Sequence, residues 1–205
     1  MLDITKVPVY YIGMIGENHS ALERRLKDAG FKDINKSPWV IDPSKVAGVA
    51  KAHIKALDKA LSETDGPFII LEDDVDIDDF QNKITVPNKA DAIYLGLSMW
   101  GLKHGKGQMG ISAKRDNAGL YRMYNMLAAH AILYINRDYA EFIRDSIPIF
   151  LEMGTNQDKM RAETMKYWKI YATRNPVFYQ RGKYEKYTKF RLSEDKMVPL
   201  RSFYS

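Results

Sequence analysis

The chain has 205 residues, 45% of them hydrophobic and 28% charged, so it is long enough to bury one full core. It contains no cysteine, which excludes disulfides, zinc–thiolate sites and a thiol nucleophile. It also lacks a recognisable signal peptide and any apolar run long enough to span a membrane, which predicts a soluble, cytoplasmic protein. A formal net charge of +5 is compatible with nucleic acid, an anionic membrane surface or a phosphorylated small molecule as partner.

The first hundred residues alternate predicted strands with predicted helices. An apolar β-type run, "VPVYYIGMI", closes at Gly16-Glu17-Asn18, and "SALERRLKDAG" follows with apolar residues at helical spacing. "WVI" predicts a short second strand, and Asp42-Pro43-Ser44 precedes a long helix, "KVAGVAKAHIKALDKALSE". Two further apolar runs, "FIIL" and "ADAIYLGLSMW", predict buried strands.

The second half begins with a glycine-rich, basic segment, "GLKHGKGQMGISAKRDNAG", which predicts a long functional loop. "RMYNMLAAHAILYIN" has strand character, "RDYAEFIRDSIPIFLE" is helical as far as Pro148, and "QDKMRAETMKYWKIYAT" predicts a further helix. The remainder is aromatic and basic, and is predicted to be mostly irregular. Strands alternating with helices predict an α/β protein, an αβα sandwich with a mostly parallel central sheet, whose ligands bind at the carboxyl ends of the strands.

Six carboxylates follow the "FIIL" strand within eight positions, and like charges this close repel unless water or a cation separates them. They are Glu72, Asp73, Asp74, Asp76, Asp78 and Asp79. Alternate residues of an extended segment share a face, so Glu72 with Asp74, or Asp74 with Asp76, could bind one ion. Two carboxylates suit Mn²⁺ or Mg²⁺ bound to a phosphorylated substrate, because the phosphates supply further oxygen ligands. The alternative is an acidic turn that only solvates the end of the strand.

"FIILEDDV" resembles the acidic signature of GT-A glycosyltransferases, and its setting is similar to the family-25 group, which includes lipooligosaccharide and procollagen galactosyltransferases. The similarity continues along most of residues 7 to 180. Its segments are "VYYIGMIGENHSALERRLKDAGF", "GVAKAHIKALDKAL", "ADAIYLGL", "AAHAILYINRDYAEFI", "NQDKM" and "NPVFYQ". Similar small domains occur in large DNA viruses of algae, which would place the protein in the host cytoplasm.

The resemblance implies a GT-A-like, Rossmann-type fold in one domain over residues 1–205, with a nucleotide-sugar half at about 1–100 and an acceptor half at about 101–205. It implies an inverting hexosyltransferase that uses Mn²⁺ or Mg²⁺, a UDP-sugar donor and a glycan or glycoconjugate acceptor. Asp158 is the candidate general base. The candidate metal ligands are Glu72, Asp74, Asp76 and His130, which matches a histidine of the family. The candidate nucleotide-binding residues are Tyr11, Ile12, Asp73 and Arg24.

Several of these residues also have a plainer interpretation. Tyr10 and Tyr11 point to opposite faces of the first strand, so one belongs in the core while Tyr11 could border a nucleobase. His53, on an apolar helical face, is expected to support the acidic strand as a core histidine, and His130 could also be structural. Asp158 could instead cap a helix.

The sequence departs from the family pattern at two places. Arg24 and Arg25 lie deeper in the helix than the usual double-arginine loop, and the basic loop from Lys103 to Arg115 has no clear counterpart, which leaves the acceptor site undefined. Cations that could bind a diphosphate are Lys103, Lys106, Lys114, Arg115, Arg181 and Lys183.

Two other classes of function remain open. A metal-dependent nucleotidyltransferase or phosphoesterase would use the same carboxylates. A basic nucleic-acid-binding module, or a tail in peripheral contact with a membrane, would use "YQRGKYEKYTKFR", where aromatic and basic residues interleave. Neither a nucleic-acid module nor a membrane tail accounts for the acidic strand end, so no nucleic-acid partner is expected.

Overall fold

The computed structural model describes residues 1–14, 19–78, 80–104, 108–117, 119–193 and 197. The helices of this part are α1 (Ser20–Asp28), α2 (Lys45–Glu63), α3 (Arg137–Glu152), α4 (Gln157–Thr164) and α5 (Glu185–Thr188), with 3-10 turns at Ile4–Lys6 and Gly182–Tyr184. The strands are β1 (Leu2–Asp3), β2 (Val9–Gly13), β3 (Ile34–Pro38), β4 (Phe68–Glu72), β5 (Val75–Ile77), β6 (Lys83–Ile84), β7 (Ala92–Tyr94), β8 (Lys103–His104), β9 (Gln108–Met109), β10 (Ser112–Arg115), β11 (Tyr121–Asn125), β12 (Ala131–Tyr134), β13 (Ile170–Ala172) and β14 (Phe178–Gln180).

A central sheet of eight strands has the order β10-β11-β13-β7-β12-β4-β2-β3. β2 is parallel to β3 and β4, and β13 is parallel to β7. β12 is antiparallel to both β4 and β7, and β11 is antiparallel to both β10 and β13. Six of the eight strands therefore run in one direction, and the predicted α/β class with a mostly parallel sheet is confirmed.

Helices cover both faces of this sheet. Buried Leu57 of α2, Ile143 of α3 and Met160 of α4 belong to the core on one face, and Leu22 and Leu26 of α1 belong to the core on the other. Because both faces are covered, Tyr10 and Tyr11 are both fully buried, one in each core. The prediction that one of the two tyrosines lies outside the core is therefore wrong.

Several elements differ from the sequence prediction. The second strand of the sheet in chain order is β3 and not "WVI", the long basic segment contains β10, and β13 occupies the end of the predicted last helix. α3 continues through Pro148 to Glu152, because buried Ile147 keeps this part of the helix packed on the core. α2 matches its predicted bounds, with Ser44 Oγ accepting from the Ala47 amide at 3.3 Å as the N-cap. Within the described residues, no helix has the length and apolarity needed to cross a bilayer.

The topology brings three strands together at one edge of the sheet. β2 and β4 end there because they are parallel, and β12 starts there because it is antiparallel to β4. The Glu72 amide donates to the His130 carbonyl at 2.9 Å, which ties the end of β4 to the residue before β12. Beyond this edge, β5 pairs with β14 and places Val75 opposite Gln180.

Candidate functional site

The carboxylates of Glu72 and Asp74 are held together by one amide group. Asp73 and Asp74 form a turn after β4, and the chain then returns as β5 against β14. Gln180 Nε2, at the end of β14, donates to Glu72 Oε2 at 3.3 Å and to Asp74 Oδ2 at 3.1 Å. The structure therefore joins two of the predicted metal ligands through a residue more than a hundred positions away.

The electrostatics of this pair favour a bound cation. Burial, together with repulsion from Glu72 and Asp73, raises the pKa of Asp74 to about 7. Burial also raises the pKa of Glu72 to about 7, with Arg161 opposing the shift. A divalent cation would stabilise both charged forms, since an opposite charge nearby favours ionisation of a carboxyl group.

The donor set fits Mn²⁺ or Mg²⁺ when a substrate supplies the remaining ligands. Both ions bind oxygen, and on phosphorylated substrates they take only one or two protein carboxylates. No group of three or more His, Asp or Glu side chains suited to a metal occurs among the residues that the structure describes. Glu72 and Asp74 would therefore hold such an ion together with the phosphates of a ligand, and not as a closed protein cage.

Asp76, Asp73 and Asp78 are engaged elsewhere. Asp76 Oδ1 lies 2.9 Å from Arg25 Nε in an ion pair with α1, because the turn at residues 73 and 74 interrupts the alternation that would have aligned Asp76 with Asp74. Asp73 Oδ2 accepts from the Met14 amide at 2.8 Å, and Asp78 lies 3.6 Å from Lys189 Nζ. The predicted role of Asp76 as a metal ligand stays a prediction, and Asp79 lies outside the described residues.

A cavity of about 320 Å³ opens beside Glu72 and Gln180. Asp158 and His130 line it as well, with Trp100 and Tyr184 on another part of the wall. Three sequence predictions, Glu72, His130 and Asp158, therefore meet in one cavity.

Asp158 is the second residue of α4, and its carboxylate is not the helix cap. Asn156 Oδ1 accepts from the Lys159 amide at 2.9 Å, so Asn156 is the N-cap and the capping interpretation of Asp158 is wrong. Asp158 Oδ1 is buried and has no hydrogen-bond partner. Burial raises the pKa of Asp158 to about 6, assisted by repulsion from Glu72. Such a group is ionised at neutral pH and can still accept a proton.

His130 is a neutral, buried histidine packed on a glycine. Burial lowers its pKa to about 4, although a backbone hydrogen bond with Phe178 acts in the other direction. Its ring lies so close to Gly96 that a Cβ at this position would collide with the imidazole. Nε2 of His130 is buried without a hydrogen-bond partner and is the ring atom nearest to Gly96. The role of His130 as a metal ligand stays a prediction.

Two buried side chains, those of His53 and Arg161, interact with the carboxylates of the cavity. His53 Nε2 lies 3.0 Å from Glu72 Oε1, and burial lowers the pKa of His53 to about 3, so it binds Glu72 as a neutral ring. The expectation that His53 supports the acidic strand is confirmed. Arg161 is fully buried, and its NH1 donates to the Tyr134 hydroxyl at 2.5 Å. Burial acts to lower its pKa, but the hydroxyls of Tyr134, Tyr94 and Tyr139 raise it, so Arg161 is a permanent cation below the cavity.

Replacing His53 by alanine is expected to lower the free energy of unfolding by about 1–3 kcal/mol, because Glu72 loses a buried hydrogen-bond partner. Urea denaturation followed by circular dichroism measures the change. His53→Gln, which keeps a nitrogen donor on the same helical face, should recover part of the loss. Equal losses for both variants would show that His53 acts only by filling space.

The predicted nucleotide-binding residues do not gather in this cavity. Tyr11 and Ile12 are fully buried, and the Tyr11 hydroxyl donates to Glu23 Oε1 at 2.5 Å, so neither side chain can contact a nucleobase in this conformation. Arg24 is exposed on α1. Arg181 is better placed than Arg24, because its backbone amide donates to the Asp74 carbonyl at 2.9 Å. Lys106 lies outside the described residues, and the diphosphate contacts stay predictions.

Gln180, Arg161 and Trp100 were not assigned to the site from sequence. Gln180 belongs to "NPVFYQ", one of the segments with a family resemblance, so that signal could have identified it. Arg161 lies one helical turn after Gln157 in a polar stretch that gives no sign of burial. Trp100 ends the apolar run "ADAIYLGLSMW", and it is 37% exposed on the cavity wall.

Comparison with known proteins identifies no family for this chain. No protein-family model and no curated protein matches it. Among solved structures, a nucleoside-diphosphate-sugar pyrophosphorylase from Vibrio cholerae RC9 superimposes with a TM-score of 0.48 at 10% identity, over 86% of this chain and 77% of the other. A CTP:phosphocholine cytidylyltransferase from Streptococcus pneumoniae gives 0.43 at 10% identity, over 86% and 73%. Likeness at this level carries no information about activity.

Proposed function

We propose that the chain is a metal-dependent glycosyltransferase that moves a hexose from a UDP-sugar to a glycan or glycoconjugate acceptor. The observation that carries the proposal is the position of Asp158. Its unpartnered carboxylate oxygen is buried in the wall of the cavity that also contains Glu72 and Gln180. A base with a pKa of about 6 is well matched to taking a proton from a hydroxyl group near neutral pH.

Each residue has one role in the proposed reaction. Asp158 accepts the proton of the acceptor hydroxyl while the oxygen of that hydroxyl attacks the anomeric carbon of the donor sugar. The bond from that carbon to the diphosphate oxygen breaks, and the nucleoside diphosphate leaves. Glu72 and Asp74 would hold Mn²⁺ or Mg²⁺, which supplies charge neutralisation for the leaving diphosphate. Gln180 keeps the two carboxylates together, and neutral His53 orients Glu72.

The proposed division of the chain follows from these roles. Glu72 and Asp74 lie in the first hundred residues and would bind the donor, while Asp158 lies in the second half and would face the acceptor. The proposal includes a cytoplasmic location, which is the host cytoplasm if the source is viral, with peripheral contact to a membrane where the acceptor is lipid-linked.

A metal-dependent nucleotidyltransferase or phosphoesterase would use the same two carboxylates, and the products distinguish the reactions. Glycosyl transfer releases a nucleoside diphosphate and forms a new glycoside. Nucleotidyl transfer from a UDP-hexose releases hexose 1-phosphate, and hydrolysis of its diphosphate linkage releases UMP and hexose 1-phosphate. Incubating the protein with UDP-hexoses, Mn²⁺ and a mixed panel of glycans, and then separating the products by ion-exchange chromatography, tests the proposal. Release of hexose 1-phosphate without UDP would contradict it.

Asp74→Asn is expected to abolish the dependence of UDP-sugar binding on metal, because one of the two metal carboxylates is lost while the hydrogen bond from Gln180 can be kept. Isothermal titration calorimetry with and without Mn²⁺ measures this, and chelation by EDTA should weaken binding to the wild type only. Asp28→Asn, an equal change of charge on exposed α1, is the matched control. Undiminished binding to the wild type after complete chelation would contradict the metal site.

A further inference from the structure

A second cavity, of about 840 Å³, adjoins the one that contains Asp158. Leu127 and Lys159 line both cavities, so the two cavities are neighbours that share part of their walls, and we refer to them together as the groove. The cavity that contains Asp158 is its inner part, and the larger cavity is its outer part. Lys159, the next residue after Asp158 on α4, lies on the shared wall.

The groove changes its charge along its length. The inner cavity carries the carboxylates Glu72 and Asp158, whereas the outer cavity has three lysines, Lys103, Lys159 and Lys166, against the single carboxylate of Glu163. All three lysines are exposed. Exposed like charges along one wall repel one another, and an anionic ligand would relieve this repulsion.

Aromatic rings stand at both ends of the groove. Trp100 and Tyr184 line the inner cavity, with their ring centroids 6.1 Å apart and the planes nearly perpendicular. Tyr167 lines the outer cavity with 75% of its surface exposed, and Lys166 Nζ lies 5.0 Å from its ring centroid. An exposed ring in a polar groove offers an apolar face with hydrogen-bonding groups beside it, which is the surface that a pyranose ring requires.

We propose that this groove binds an elongated acidic glycan as the acceptor, with its terminal sugar near Trp100 and Asp158 and its carboxylate, sulfate or phosphate groups along Lys159, Lys166 and Lys103. The identification of this glycan as an acceptor rests on the proposed glycosyl transfer. Binding of an acidic glycan to the groove does not, because it needs neither donor nor metal.

Titration calorimetry without donor or metal tests the groove directly, with oligogalacturonates from the disaccharide to the octasaccharide as acidic probes. Maltooligosaccharides of the same lengths are the neutral probes. Affinity for the acidic series should rise about tenfold with length until the outer cavity is filled, as expected when three exposed ion pairs form in turn. Affinity for the neutral series should rise much less with length.

Two variants locate the binding. Lys166→Ala should lower the affinity for the long acidic probes about two- to fivefold. The affinity for the disaccharide should be unchanged, since Lys166 lines only the outer cavity and Asp158 only the inner one. Trp100→Ala should lower the affinity for every probe. Lys32→Ala, which removes the same charge from an exposed site outside both cavities, is the control and should change nothing.

If affinity rises equally with length in the two series, the proposal that the ligand is acidic is wrong. If affinity does not depend on length in the acidic series, the proposal that an elongated ligand occupies both cavities is wrong. Tighter binding of a single-stranded oligonucleotide of equal charge would assign the groove to nucleic acid instead. Failure of the wild type to bind any UDP-sugar in the presence of Mn²⁺ would refute the proposed function while leaving these glycan measurements unaffected.

Discussion

Asp158→Asn is expected to lower the rate of sugar transfer by two or more orders of magnitude, because asparagine cannot accept the proton of the attacking hydroxyl (about 10²–10⁴ for a general base). Donor affinity should be nearly unchanged, since the carboxylates proposed to hold the metal, Glu72 and Asp74, are intact. Stability at neutral pH should be unchanged or higher. The pKa of Asp158 is raised in the folded state, so its ionised form opposes folding once the pH rises above the ordinary carboxyl value.

The pH dependence of the transfer rate gives an independent check of the role of Asp158 as the base. With a pKa of about 6, Asp158 is protonated in acid, so the transfer rate at saturating donor and acceptor should fall as the pH drops below about 6. Stopped assays across a pH series, together with melting temperatures for each variant, measure both effects. Normal turnover by the asparagine variant would exclude Asp158. Asp116 and Asp78 are poorly placed to replace it, because Asp116 accepts from the Leu120 amide at 2.9 Å within a turn and Asp78 pairs with Lys189.

Arg161→Met is expected to cost about 3–5 kcal/mol of unfolding free energy, because removing a buried cation leaves nearby carboxylates without a counter-charge. The pKa values of Glu72 and Asp158 are both held down by this guanidinium, so both should rise in the variant. The acid limb of the transfer rate should therefore shift to higher pH, which a merely structural side chain would not cause.

Arg161→Lys separates the charge from the geometry. Lysine keeps a cation at this position but cannot reproduce the guanidinium contacts with the Tyr134 hydroxyl and with Gln157 Oε1. Its pH profile should stay close to that of the wild type even if its melting temperature falls. A methionine variant that is as stable as the wild type, with an unshifted profile, would show that the buried charge has no such role.

The parts of the fold that were predicted correctly carry a strong local signal. α2 has a serine cap and an apolar stripe along its whole length, and β4 is a continuous apolar run. β3 was missed because it is an edge strand with only Ser37 buried, so its sequence, "INKSP", does not alternate. β13 was merged with α4 because "KYWKIYA" continues a helical spacing, although pairing with β7 and β11 makes Ile170–Ala172 a strand.

For the site, sequence identified the residue types but not all of their partners. Glu72, Asp74, His130 and Asp158 were named, and three of them line one cavity. The pairing of Asp76 with Arg25 and the bridge from Gln180 depend on a two-residue turn and on a strand pairing across a hundred residues. No local pattern encodes such contacts, since they arise from the topology of the whole chain.

The position of β12 in the sheet has a consequence for how the protein is made. Both edges of β4 are covered in the folded chain, by β2 on one side and by β12, residues Ala131–Tyr134, on the other. As the chain leaves the ribosome, Phe68–Leu71 must wait for some sixty further residues before the second edge is paired. Throughout that interval an apolar strand edge is open to other chains, which is a known route to aggregation. The carboxylates that follow it, Glu72 to Asp74, place negative charge beside this open apolar edge of the nascent chain, where it opposes association with other chains.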